Sequence, residues 1–127
     1  MELLQSSRTH DYARMALAGT RLFNGAVALV APSLLVRRLG VDPKTSPALL
    51  YVFRMFGIRT VLLGLDLLRE GSAREKALRA APLIHASDTT AALLAGLGGL
   101  NKRSAIAIVV ISAVNTILAL LARPNAE

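Results

Sequence analysis

Residues Pro47–Leu68 read PALLYVFRMFGIRTVLLGLDLL. At 1.5 Å per residue a helix of this length runs about 33 Å, enough for a hydrocarbon core of about 30 Å. Pro47 suits the first turn of such a helix, where its missing N–H has no intrahelical partner to lose. A surface helix of a soluble domain needs one apolar face, and this run is apolar nearly all round. Yet it carries Arg54, Arg59 and Asp66. A charge near the bilayer midplane costs roughly 2.5–3.5 kcal/mol on insertion scales, so it turns into a protein interior, pairs, or binds something.

Outward from this run, three more apolar stretches cover residues 12–36, 77–100 and 104–122. Pro32 kinks the far end of the first, and Arg37-Arg38 ends it. Residues 39–46 hold Gly40, Asp42 and Pro43 and read as a tight surface connection. Residues 69–76 form a charged turn around Gly71-Ser72. The link Asn101-Lys102-Arg103 is so short that the third and fourth runs must lie antiparallel and adjacent. Arg123-Pro124 stops the fourth. The expected fold is all-α: a four-helix transmembrane bundle with short loops, one domain over residues 1–127.

Composition agrees. The 127 residues are 54% hydrophobic. The chain has no cysteine, which removes disulfides and thiolate metal sites. It also lacks Trp, leaving Tyr12 and Tyr51 as the best interfacial aromatics. The net charge of +7 comes from cations at the ends of the apolar runs, where they meet anionic head groups. No nucleic-acid motif accompanies that charge, so no nucleic-acid partner is expected. Residues 1–11 have no apolar core of their own and do not read as a cleavable signal. With four spans both termini share a side, and Arg8, Arg14, Arg69, Arg74, Lys76, Arg79 and Arg123 lie there. Arg37, Arg38, Lys44, Lys102 and Arg103 lie on the other. The excess points to cytoplasmic termini. No internal repeat of the kind found in carriers is visible.

Small residues mark where helices meet in lipid. On the first helix Ala18, Arg21, Gly25, Ala28 and Pro32 fall within about 80° of one another. On the third, His85, Asp88, Ala92, Ala95 and Gly99 form a stripe; on the fourth, Ala105, Ser112, Asn115 and Ala119 do. The second helix differs. Arg59 and Asp66 project nearly together, Gly57 and Gly64 share another face, and Arg54 lies about 140° from Arg59. Polar or small groups on several sides predict that it is the most enclosed helix. Depth suggests two buried pairs, Arg59–Asp88 and Arg21–Asp66, with His85 and Asn115 filling the remaining hydrogen-bonding capacity. Arg54 has no acidic residue at its level. It either snorkels to the head groups or meets a partner protein or an anionic ligand.

The chemistry of catalysis is thin. Ser87 stands about 200° round the helix from His85, so no Ser–His–Asp triad forms. His85 and Asp88, three apart, fit an acid–base pair or proton relay, or simply a histidine satisfied in a polar core. Metal binding would need more ligands, and the other histidine, His10, lies outside the apolar runs. No phosphate-cradling loop is present. The glycines Gly57, Gly64, Gly96, Gly98 and Gly99 read as packing contacts rather than clearance for a cofactor. No cofactor and no metal are expected.

At Arg54-Met-Phe-Gly57-Ile-Arg59, followed by Gly64, the chain resembles small four-helix bacterial membrane proteins of the DoxX-like group, which carry an arginine–glycine signature in the second helix. Gly19-Thr20-Arg21 and Pro32 are similar to their opening segment. The resemblance implies a fold and puts forward Arg21, Arg54 and Arg59 as signature positions without assigning them a role. The candidate site is therefore Arg21, Arg54, Arg59, Asp66, His85, Asp88 and Asn115. The expected function is a non-catalytic accessory subunit of a larger membrane complex, one handling lipid or another apolar molecule, with membrane lipids and other membrane protein subunits as partners. The alternative is a small carrier or lipid- or quinone-binding protein built on the Arg/Asp/His site; an intramembrane enzyme ranks third.

Overall fold

Proline and glycine set the element boundaries. In the computed structural model, which describes residues 2–123, the order is α1 (Glu2–Val30), α2 (Pro32–Arg38), a 3₁₀ turn (Pro43–Thr45), α3 (Pro47–Leu68), α4 (Ser72–Leu97) and α5 (Lys102–Ala122). No strand occurs among the described residues. Helix α1 starts well before residue 12, because nothing in residues 2–11 breaks a helix and Asp11 pairs with Arg14 at 3.1 Å, one turn on. It ends earlier than expected. Pro32 has no N–H to donate and forces its predecessor off helical geometry, so Ala31 sits at φ −129°, ψ 55°. The expected kink is a full break, and α2 leaves α1 at 96°. Gly71, at φ 72°, makes the turn into α4.

The expectation of an all-α fold holds, and two or three of the four expected spans are apolar enough to cross a membrane. Helices α3 and α5 are each long and apolar enough to cross a membrane, and a third span exists if the bent pair α1–α2 counts as one. Helix α4 does not qualify. Arg74, Lys76, Arg79, His85, Ser87, Asp88, Thr89 and Thr90 keep its hydropathy too low, although its 26 residues are length enough.

Successive long helices run antiparallel. One core joins Ala13, Leu17 and Ala18 of α1, Leu67 of α3, Ala77, Leu78 and Ala81 of α4, and Ala119 and Ala122 of α5. The start of α4 thus meets the end of α5, while Gly96 near the other end of α4 abuts Ala105. At that far end the Ser104 hydroxyl donates to the Arg38 carbonyl at 2.5 Å, tying α5 to α2.

The tightest crossing is between α1 and α3. A Cβ at Gly57 would lie 2.6 Å from the Leu29 nitrogen and 2.7 Å from the Gly25 carbonyl oxygen; one at Gly25 would lie 2.8 Å from the Val61 nitrogen. Backbone meets backbone there, which only glycine permits. Gly64 continues the seam against Leu22 and Arg21. Helix α3 spends this one face on α1, touches α4 far less, and leaves the rest open. In its most apolar stretch 11% of residues are buried, against 28% in α5. It is the less enclosed of these two helices, contrary to the expectation. Its glycines mark a neighbour, but its arginines do not.

Candidate functional site

The stripes on α1 and α5 are buried as the spacing predicts: Ala18, Arg21, Gly25 and Ala28 on one, Ala105, Ser112, Asn115 and Ala119 on the other; Pro32 is buried too, but in α2. The α4 stripe is buried at His85 and Ala92, half-buried at Asp88 and open at Ala95 and Gly99.

Arg21 is the centre. It is 2% exposed, and its stem fits because Gly64 leaves the facing position empty; a Cβ there would stand 3.2 Å from the Arg21 Cβ. Its Nε and Nη2 approach His85 Nε2 at 3.1 and 2.9 Å, and its Nη1 donates to the Leu63 carbonyl at 3.4 Å. A guanidinium offers donors only, so His85 Nε2 must accept and the ring proton sits on Nδ1. Nδ1 lies 3.8 Å from Asp88 Oδ2, an ion-pair distance rather than a hydrogen bond. The result is a row running guanidinium, imidazole, carboxylate from α1 into α4. Its outer end, Asp88, has a side chain 47% exposed.

The two expected pairs do not form. Asp66 pairs with Arg69 at 3.3 Å, one turn along its own helix, because it points away from the seam that holds Arg21. Arg59 makes no hydrogen bond or ion pair among the described residues, although its field and that of Arg21 both reach Asp88. Asn115 is buried, yet its amide makes no hydrogen bond among the described residues and so does not complete the row. Arg54 is exposed and equally without a partner among them. Sequence reasoning missed Arg14. It is mostly buried, and its Nη1 donates to the Leu67 carbonyl at 2.8 Å, clamping α1 to the last turn of α3. The signal was its spacing, seven residues before Arg21 and so on the same face.

The row has little chemistry of its own. Arginine does not give up its proton, so no proton path continues through Arg21. The Ser87 hydroxyl donates to the Ile84 carbonyl at 2.7 Å and is turned away from His85. No cluster of three or more His, Cys, Asp or Glu among the described residues could hold a metal ion. Two grooves open at the surface. One of about 480 Å³ runs along α3 past Met55, Ile58, Arg59, Leu62 and Leu63. The other, about 330 Å³, lies between α4 and α5 at Ala86, Thr89, Ala113, Thr116 and Ile117. No family model, curated protein or solved structure matches the chain.

Proposed function

We propose that this chain is a four-span integral membrane protein, akin to the DoxX-like group, that works without catalysis as a small accessory subunit of a larger membrane assembly handling lipid or another apolar molecule. Connectivity supports the fourth span. Links of residues 69–71 and 98–101 join α4 to α3 and α5, and α4 packs along α5 for most of its length. If α3 and α5 cross, α4 must cross between them. Its polar residues are tolerable because His85 is buried, and a hydropathy window cannot see which way a side chain points. In a bacterial inner membrane the cation count favours cytoplasmic termini.

The observation that carries the accessory role is Arg54. It is exposed and unpaired about 10 Å inside α3, where a neighbouring protein would supply the missing acceptor. Mild detergent extraction from native membranes should bring down at least one other protein, and Arg54→Ala should release it without unfolding the chain. A chain that emerges alone under every detergent condition argues against the reading.

A second reading, a carrier or lipid- or quinone-binding protein, draws on the α3 groove beside Arg59, near Asp88. It expects a bound amphiphile in mass spectra of the gently extracted protein, lost in Asp88→Asn. A clean spectrum from the wild-type chain removes it.

A further inference from the structure

Arg59 and Asp88 are opposite charges on adjacent helices, each lacking a partner of opposite charge within 4 Å among the described residues, His85 being the one cationisable neighbour of Asp88. Their depth can be worked out. Arg21 touches both Leu63 and His85, which puts those two residues at one level. Arg59 is four residues before Leu63, about 6 Å from that level; Asp88 is three residues after His85, about 4.5 Å from it. Because α3 and α4 run antiparallel, both displacements go the same way. The two charges therefore sit within about 2 Å of the same depth.

The surfaces around them are complementary in size. Beside Arg59, the exposed ridge of α3 is bulky: Met55, Ile58 and Leu62. Beside Asp88 the exposed positions Ala91 and Ala95 are small, with Ser87 at the edge of the flank where the bulky Leu83 and Leu94 begin. Counted from the same level, Leu62 and Ile58 fall close to the depths of Ser87 and Ala91. We propose that this face is an isologous interface with a second copy of the chain, in which Arg59 of each copy pairs with Asp88 of the other. Two copies inserted the same way are related by a two-fold axis along the membrane normal, which brings equal depths together. Bulky ridge then lies on small flank twice, and both charges leave the lipid. Within one chain Arg59 acts on Asp88 only from beyond 4 Å, since α3 is held to α1 by the Gly25–Gly57 crossing and α4 to α5, with little contact between α3 and α4.

The proposal rests on the membrane-spanning reading and is tested apart from it. The chain has no cysteine, so Glu70→Cys, on an exposed turn, gives a unique site for donor and acceptor dyes. Energy transfer between labelled copies in lipid vesicles reports self-association whether or not any other protein binds. Wild type should show transfer. Arg59→Asp alone and Asp88→Arg alone should each weaken association at least about thirtyfold. Mixing the two single variants should restore it, because both contacts of the mixed pair are then opposite in charge; recovery also shows that each variant folds. No transfer in wild type, or undiminished transfer in either variant, overturns the interface. So does recovery only when both changes share one chain, which would place the pair within a single copy. An anionic amphiphile bound at Arg59 of a monomer would overturn it as well.

Discussion

Arg21 and Arg59 are both arginines deep inside long helices, and the fold treats them oppositely. Arg21 lies in the small-residue stripe of α1, so the face that packs is the face that carries the charge. It is 2% exposed and spends its donors on His85 and Leu63. Arg59 stands roughly 150° round α3 from the glycines that seat α3 on α1. It is exposed and unpaired among the described residues. Small residues set which way a helix turns in its bundle, and a charge goes inward only if it shares their side. A charge on the other side stays at the surface, as Arg59 does.

The largest expected effect tests the seam that makes this contrast. Gly57→Leu drives a side chain into the backbone of Gly25 and Leu29 and should cost about 3 kcal/mol, the upper end of overpacking penalties, read from unfolding in detergent. Arg21→Met comes next. It leaves His85 Nε2 buried without a donor and should cost about 2 kcal/mol, with His85→Phe in the same chain recovering part of it. Arg14→Ala, which removes the clamp on the Leu67 carbonyl, should cost about 1 kcal/mol in the same assay. Arg59→Met sharpens the comparison from the other side. In detergent-isolated single copies it should change unfolding by less than about 0.5 kcal/mol. Equal losses at Arg21 and Arg59 would erase the distinction between them.

Much of this was legible in the sequence. The stripes on α1 and α5 follow from small residues at helical spacing, and Pro47 and Gly71 sit where helices begin. What was not legible has physical causes. Spacing gives the angle between two side chains on one helix but not the helix's rotation, so by spacing alone the glycine face and the arginine face of α3 are equal candidates for contact. Depth matching proposed Arg59–Asp88 and Arg21–Asp66, yet a local partner at i+3 captured Asp66, and a neutral imidazole took Arg21. Pro32 signals a bend whose size depends on how α2 docks, here mainly against α3, with one hydrogen bond from Ser104 at the start of α5. The short link Asn101-Lys102-Arg103, by contrast, places α4 beside α5, as the fold has it.

In the proposed arrangement α4 crosses the membrane with His85 turned inward and Asp88 half-exposed beside α3. Glu70→Cys lies between α3 and α4, and Asn101→Cys between α4 and α5, in a chain with no other cysteine. A membrane-impermeant maleimide applied to vesicles of one orientation should label one of the two positions and leave the other untouched until the vesicles are opened. Equal labelling of both from the same side would put α4 on the surface and contradict the account.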